Sequence, residues 1–168
     1  FGNLEEWCDG IAPNSLVESD GIKPDMVVIG EPTRMQVYRG HRGRIELQCV
    51  TKGRSCHASM PWLGDNEIYK MNKFIRDVEE MGPKIHEDKF LGRGTCVVSI
   101  IECKTPSINA VPDECTVFLD RRMTFGETKE SVLAQLRALP GAKDVKISEM
   151  MYDTPSYNGF VFKVDKYF

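Results

Sequence analysis

The sequence of 168 residues lacks several features that would place it in a specialised class. It has no run of about 18 consecutive apolar residues, so we expect no membrane-spanning helix. Its first residues do not have the basic and apolar pattern of a signal peptide. The net charge of −3 argues against the broad basic face that nucleic-acid binding uses. We predict a soluble, cytoplasmic protein with neither a membrane nor a nucleic acid as partner.

Paired cysteine motifs are also absent, although the chain contains six cysteines. No C-x-x-C pair occurs, so neither a zinc ribbon nor a disulfide framework is expected. Several cysteines lie in strand-like segments, where a thiol behaves as a small apolar residue. We predict that they are reduced and mostly buried. They are Cys8, Cys49, Cys56, Cys96, Cys103 and Cys115.

The two ends of the sequence carry no obvious start or stop. The chain begins at Phe1 without an initiator Met, and it ends at Phe168 without a turn or a polar tail. We interpret the chain as one intact small α+β domain flanked by parts of a second domain.

The sequence before residue 36 has the pattern of an α/β domain. Residues 11–19 predict a short helix that stops at Gly21. Residues 26–29 form a continuous apolar run, which is typical of a strand buried on both faces in a parallel sheet. Glu31 follows this strand, at the edge where such sheets place their ligands.

From residue 36 onward the periodicity changes to that of an antiparallel sheet. Residues 44–51 alternate, with Ile45, Leu47 and Cys49 on one face, which indicates a strand with one exposed side. Apolar residues at steps of three and four predict a helix over residues 65–81.

The second half of this region repeats the pattern of strands and a helix. We predict strands at residues 95–103 and 114–122, a helix whose apolar stripe ends at Leu139, and a last strand from Val145. Thr124 and Glu127 have the spacing of a capping box for that helix. The order β-α-β-β-α-β predicts a ferredoxin-like domain, a four-stranded antiparallel sheet with two helices on one face.

Several side chains could carry chemistry, although spacing alone does not decide. Glu5, Glu6 and Glu31 are oxygen ligands suited to a divalent cation, or they are solvated surface carboxylates. His57 lies in a loop of small residues that could hold an imidazole at the surface. A nucleophilic role for Cys56 beside it is disfavoured, because no third group is in place to orient the pair.

The remaining candidates have structural alternatives as well. Asn109 is by default a turn residue and Arg122 a surface cation, but Arg122 could hold a substrate carboxylate through a bidentate pair. His41 and His86 are interpreted as structural. RNA recognition is disfavoured because the strand at residues 114–122 has one aromatic residue.

Together these segments resemble the zinc metallopeptidase family of acetylornithine deacetylase, succinyl-diaminopimelate desuccinylase, aminoacylase and carboxypeptidase G. The residues 39–44 also resemble a bacterial subgroup described as selenium-metabolism hydrolases. Four segments match in family order across nearly the whole chain. They are Glu5-Glu6 with Asp9-Gly10; Gly30-Glu31-Pro32-Thr33; Gly53 with His57-Ala58-Ser59 and Pro61 through Asn66; and Asn109-Ala110-Val111-Pro112 with Asp120-Arg121-Arg122.

The resemblance implies a homodimeric two-domain enzyme that holds two zinc ions per subunit and cleaves small N-acyl amino acids or peptides. It implies that Glu5 is the general base, that Glu6 and Glu31 bind zinc, and that His57 donates a hydrogen bond to the oxyanion in the partner subunit's site. Asn109 and Arg122 would hold the substrate. The small domain would act as lid and dimer interface.

The sequence departs from this family because the metal-binding histidine and aspartate upstream and the histidine downstream are absent. We therefore expect that this chain does not retain zinc, is inactive alone and serves mainly for dimerisation. The predicted domains are residues 1–35 from the catalytic domain, residues 36–152 as lid and dimerisation domain, and residues 153–168 returning to the catalytic domain. The alternative is a free-standing ferredoxin-like binding or dimerisation module without catalysis.

Overall fold

The structure is a computed structural model that describes residues 16–28, 30–38 and 40–151, together with Gly159 and Val161. The chain divides into two compact units, and the larger one contains residues 42–150. The sheet and both long helices belong to this unit. The predicted domain boundaries at residues 35/36 and 152/153 stay a prediction.

The larger unit contains six strands and two α-helices. Its helices are α1 (Glu67–Met81) and α2 (Lys129–Arg137). Short 3-10 turns lie at Pro61–Leu63, Gly82–Lys84 and Pro140–Asp144. The strands are β1 (Gly43–Lys52), β2 (Glu87–Asp88), β3 (Gly92–Arg93), β4 (Thr95–Lys104), β5 (Glu114–Met123) and β6 (Lys146–Glu149).

Four of the strands form one antiparallel sheet in the order β4-β5-β1-β6. This order, with α1 between β1 and β4 and α2 between β5 and β6, is that of a ferredoxin-like domain. The predicted fold class is therefore confirmed. The short β2–β3 ribbon was not predicted, because strands of two residues leave no periodicity in the sequence.

A single apolar core lies between one face of the sheet and the two helices. The predicted inward residues of β1 are fully buried, and so are Val117 of β5 and Leu136 of α2. Because successive strand residues point to opposite faces, the other face of the sheet carries the alternate residues. Both helices therefore cover one face, as predicted. The inward residues of β1 are Ile45, Leu47 and Cys49.

Helix α1 begins two residues later than predicted and buries a different set of side chains. Asn66 is its N-cap, and its side chain accepts hydrogen bonds from the backbone N–H groups of Ile68 and Tyr69. Ile68, one of the apolar residues at steps of three and four on which the helix prediction is based, is exposed, whereas Phe74 and the charged Glu67 are fully buried. A periodicity of apolar residues does not detect a buried carboxylate, so Glu67 was missed.

The predicted capping box at Thr124 and Glu127 is wrong as a start of α2. The N-cap is Thr128, which forms a capping box with Ser131. Glu127 does accept a hydrogen bond from the Thr124 backbone N–H at 2.9 Å, but it also pairs with Arg121. The Arg121 side chain is fully buried and also donates to the backbone carbonyl of Arg122. A tertiary ion pair thus takes the carboxylate that the motif assigned to the helix.

The predictions for the segment before residue 36 have mixed outcomes. Residues 16–18 are helical, Ile22 N–H donates to Leu16 O at 2.9 Å, and Gly21 has a φ of 69°, so Gly21 ends this helix as predicted. Residues 11–15 lie outside the described residues.

The strand predicted at residues 26–29 is wrong for residues 26–28, which are exposed and form no strand. A strand buried on both faces needs strand neighbours and covering helices, and the described residues provide none there.

The cysteines are less buried than predicted. Cys49 and Cys115 are buried, Cys56 and Cys96 are half-buried, and Cys103 is exposed. Cys8 lies outside the described residues. Among the residues that the structure describes, no helix combines the length and apolar character that crossing a bilayer requires.

We predict that Arg121→Ala lowers the free energy of unfolding by about 3–5 kcal/mol, because it leaves the carboxylate of Glu127 without its charge partner. The measurement is urea denaturation, in which the midpoint should fall while the m-value stays unchanged. The control is Arg122→Ala, whose side chain is 41% exposed in its ion pair and should cost about 1 kcal/mol or less. Equal losses in the free energy of unfolding for the two variants would contradict a stabilising role of the Arg121–Glu127 ion pair. Arg121→Met with Glu127→Gln should recover stability, since it removes both charges and keeps the hydrogen bond to Thr124.

Candidate functional site

His57 and Asn109 lie in two loops that the fold brings into direct contact. His57 and Ala110 form an isolated antiparallel β-bridge. The backbone N–H of Ala58 donates to Asn109 O at 2.8 Å, and that of Val111 donates to Cys56 O at 2.8 Å. The structure therefore brings together two of the predicted site residues, which are 52 positions apart in the printed sequence.

The hydrogen bonds of His57 determine which ring nitrogen carries its proton. Nδ1 accepts a hydrogen bond from the Ser59 backbone N–H at 3.2 Å, and Ser59 Oγ is 2.7 Å from the same nitrogen. A nitrogen that accepts from a backbone N–H must present a lone pair, so the neutral ring carries its proton on Nε2. His57 is exposed, and no described residue accepts from Nε2. The ring thus presents an N–H donor to an outside group.

Asn109 is held by its own turn. Ala110 N–H donates to Ser107 O at 3.1 Å, and Ser107 Oγ donates to the Asn109 side-chain oxygen. Thr105 Oγ1 donates to Ser107 O at 2.9 Å. Because the amide oxygen is already engaged, the exposed Asn109 side chain presents its NH₂ group as a donor.

Gly53 allows the His57 loop to pack closely against α1, and Gly64 allows two parts of that loop to pack against each other. A Cβ on Gly53 would lie 1.9 Å from Glu67 Oε1, and a Cβ on Gly64 would lie 2.6 Å from Cys56 Sγ. The buried Glu67 carboxylate forms an ion pair with Lys70 Nζ at 3.0 Å, and Lys70 also pairs with Asp65. The first turn of α1 thus fixes both ends of the loop that carries His57.

Arg122 lies elsewhere, on the outer face of the sheet. Its guanidinium donates to both carboxylate oxygens of Asp120, at 2.7 and 2.9 Å. Arg122 is eight residues along β5 from Glu114, the first residue after the Asn109 loop. At about 3.3 Å per residue this is on the order of 25 Å. One chain therefore does not bring Arg122 together with His57 and Asn109.

The predicted metal residues are only partly described. Glu31 is exposed, and its carbonyl accepts a hydrogen bond from Thr33 N–H at 2.8 Å. Glu5 and Glu6 lie outside the described residues. Within the described part of the chain, no three His, Cys, Asp or Glu side chains form a group that could hold a metal ion. The carboxylate of Glu31 has the right donor chemistry for zinc, but one carboxylate does not complete a site.

A charged cluster beside the two loops has a structural explanation. Glu114 of β5 pairs with Lys52 of β1 at 2.9 Å and with Lys104 of β4 at 2.7 Å. The hydrogen bond from Lys104, followed by that from Lys52, lowers the pKa of the Glu114 carboxyl group. Each lysine is the direct register partner of Glu114. We assign the cluster to cross-strand pairing at this end of the sheet.

The residues that support the candidate site were not identified from the sequence. Ser59, Ser107 and Asp120 each bind a predicted site residue, and each is two positions away from it. That spacing is typical of local turns for the two serines, and it places Asp120 and Arg122 on the same face of a strand. The spacing was therefore visible, but nothing in the sequence alone indicated that the side chains meet.

Comparison with known proteins gives the family. The family model of the M20 peptidase dimerisation domain matches residues 39–147. The uncharacterized protein YgeY of Escherichia coli K12 is 45% identical over 98% of this chain, which covers 41% of YgeY. Acetylornithine deacetylase of Buchnera aphidicola is 29% identical over 76% of this chain, which covers 35% of that enzyme. The chain thus spans less than half the length of these relatives.

A solved structure agrees on the fold. Aminobenzoyl-glutamate utilization protein of Klebsiella pneumoniae superimposes with a TM-score of 0.52 at 14% identity, over 70% of this chain and 31% of that protein. At this identity the match supports the fold alone. With a family model that covers most of the chain and contains both site loops, this chain belongs to the M20 peptidase family and carries its dimerisation domain.

Proposed function

We propose that the longer protein to which this chain corresponds is a zinc-dependent amide hydrolase acting on N-acyl amino acids or small peptides. Membership of the peptidase family supports the reaction class, and similarity to an acetylornithine deacetylase supports an N-acyl substrate. The observation that carries the proposal is the exposed His57 ring beside the Asn109 loop, in which Ser59 contacts Nδ1 and Nε2 is left for an outside group.

Three glutamates have proposed roles at the metal centre. Glu6 and Glu31 would each hold a zinc ion through carboxylate oxygens, and Glu5 would act as the general base toward the attacking water. When bound, zinc supplies Lewis acidity and lowers the pKa of that water. This chain alone lacks the remaining ligands, so it is inactive and does not retain zinc.

The proposed role of His57 is to stabilise the oxyanion that forms on the scissile carbonyl. An N–H donor aimed at developing charge acts most strongly in the transition state, so it accelerates the reaction rather than only binding substrate. The hydrogen bond from Ser59 orients the ring and keeps the proton on Nε2.

The proposed substrate contacts come from two subunits. Asn109 offers an amide N–H beside His57. Arg122 uses Nε and Nη2 to bind Asp120, which fixes the plane of the guanidinium, and its remaining N–H groups are proposed to bind the substrate carboxylate. A small substrate cannot bridge a separation on the order of 25 Å. We therefore propose that one site takes Arg122 from its own subunit and takes His57 and Asn109 from the partner copy of the chain.

The same proposal requires a homodimer, and β4 is the best candidate interface. In the described part of the chain, β4 has a neighbouring strand on one side only, and Ile100 and Ile101 are 52% and 56% exposed. The opposite edge, β6, has four residues and begins with Lys146. A long apolar edge strand readily pairs with another copy, whereas a short charged one does not. We propose that two β4 strands pair across a two-fold axis.

In the longer protein, His57→Ala should lower kcat by about 10²–10³-fold with little change in KM, because it removes one oxyanion donor. The measurement is hydrolysis of a panel of N-acetyl amino acids and dipeptides by the zinc-loaded protein. Chelation should abolish activity, and added zinc should restore it.

The matched control is His86→Ala, which should keep wild-type kcat. His86 is exposed, and its backbone carbonyl accepts a hydrogen bond from the Gly94 N–H. The 168-residue chain alone should show substoichiometric zinc in elemental analysis and no hydrolysis. Wild-type kcat in His57→Ala, or activity that survives chelation, would refute the mechanism. The proposal that the chain alone is inactive would be refuted if the chain bound stoichiometric zinc and hydrolysed substrate, and if Glu5→Gln abolished that hydrolysis.

The dimer is tested on the chain itself by light scattering at high micromolar concentration. We expect about twice the monomer mass of 19.0 kDa for the wild type and a monomer for Ile101→Lys, which places charge on the proposed interface. The control is Ile108→Lys, which changes a fully exposed isoleucine in the Asn109 loop and should stay dimeric. A monomeric wild type, or an equal effect of the two variants, would contradict pairing through β4.

A further inference from the structure

Two free cysteines face each other across neighbouring strands at the base of the Asn109 loop. Cys103 of β4 is the direct register partner of Cys115 of β5. None of the other three described cysteines has a cysteine opposite it in the sheet. Cys49 is opposite Val117, Cys96 is opposite Arg121, and Cys56 lies in a loop. This pair therefore stands apart from the rest of the cysteines in the described part of the chain.

The hydrogen-bond pattern shows that the two residues form the closer type of antiparallel pair. Gly53 N–H donates to Asp113 O at 2.9 Å, so these two opposed residues form a hydrogen-bonded pair. In an antiparallel ladder such pairs alternate with non-hydrogen-bonded pairs, so every second opposed pair of β1 and β5 is hydrogen-bonded. Thr51 and Cys115 are such a pair. The N–H and C=O groups of Cys115 consequently point toward β1 and away from β4.

Cys103 and Cys115 are thus a non-hydrogen-bonded pair, in which Cα atoms are about 4.5 Å apart and the side chains are close. Disulfides need Cα separations of roughly 4.4–6.8 Å. The Cys103 thiol now contacts the Glu114 carbonyl at 3.3 Å, so it already lies beside the residue that precedes Cys115. Because directly opposed residues project to the same face of the sheet, the Cys103 and Cys115 side chains lie on one face.

We propose that Cys103 and Cys115 are a thiol-modification site that reacts with a low-molecular-weight disulfide to form a reversible cross-strand disulfide within one chain. This bond would close the loop of residues 105–113, which carries Ser107 and Asn109 and pairs with the His57 loop. Oxidation would restrict the loop that presents Asn109. The consequence for a substrate site depends on the proposed function, but the formation of the bond does not.

The exchange proceeds in two balanced steps. The exposed Cys103 attacks the small disulfide as a thiolate, which forms a mixed disulfide and releases one thiol. The Cys115 sulfur then attacks the Cys103 sulfur, forms the intramolecular bond and releases the second thiol. Both protein thiols lose one proton and one electron, and the small disulfide is reduced to two thiols.

Both thiols are protonated near neutral pH, which makes the exchange slow and pH-dependent. Burial raises the pKa of the Cys115 thiol to about 11, and burial also raises the pKa of the Cys103 thiol. Since only the thiolate attacks, the rate should rise by about tenfold per pH unit between pH 7 and 8.

The test uses the purified, reduced chain incubated with oxidised glutathione at pH 8, followed by alkylation and peptide mapping by mass spectrometry without reduction. We expect a pair of peptides joined by a disulfide between Cys103 and Cys115. On a non-reducing gel the oxidised protein should migrate as a single chain, and dithiothreitol should cleave the disulfide. Amide hydrogen exchange over residues 105–113 should become slower on oxidation. Cys103→Ser, at an exposed position, should abolish both effects without unfolding the domain.

The matched control is Cys96→Ser, also on β4, which should leave the bond and the slower exchange unchanged. The proposal would be overturned by glutathione that remains on Cys103, by a bond between two chains, or by a bond to another cysteine. A Cys103–Cys115 bond that forms without any change in amide exchange would overturn the restriction of the Asn109 loop. None of these outcomes depends on hydrolytic activity, so failure here is distinguishable from failure of the proposed function.

Discussion

The pairing of β1 with β5 is the constraint on which the rest of this domain depends. Ten residues of each strand pair in one antiparallel register, from Gly43 opposite Met123 to Lys52 opposite Glu114. Because the strands are antiparallel, the loop that leaves β1 and the loop that enters β5 meet at the same end of the sheet. His57 and Asn109 lie in these loops, so the register brings them together and keeps Arg122 at the opposite end.

Much of this arrangement could be predicted from the sequence, because the periodicity of apolar side chains in a strand or helix is set by residues that are close together in the sequence. Alternation in β1 placed Ile45 and Leu47 in the core, and the structure buries both. The same reasoning failed where charged residues are buried. Arg121 and Glu67 occupy core positions, and each forms an ion pair, Arg121 with Glu127 and Glu67 with Lys70 one turn along α1. Pattern analysis assigns charges to the surface, whereas pairing allows them inside.

The candidate site shows a different limit. His57, Asn109 and Arg122 were selected through resemblance to a family, since spacing alone left each with a structural alternative. Their relative positions were nevertheless implicit in the sequence, because Asn109 precedes β5 and Arg122 lies near its end. What could not be predicted is the state of the His57 ring, which depends on Ser59 and on the contact between two loops. Side-chain protonation follows from tertiary geometry rather than from residue type.

On the proposed function, this geometry links assembly to catalysis. If an active site needs Arg122 from one subunit and His57 with Asn109 from the other, a separated subunit has no complete site, however stable its own fold. Each substrate-bound site would then contribute contacts across the interface, so substrate that binds only the dimer favours the dimer by mass action. The proposed interface strand, β4, also carries Cys103, the register partner of Cys115 at the base of the Asn109 loop. On this proposal, a single strand pair, β4 with β5, connects the interface with the Asn109 loop and the site.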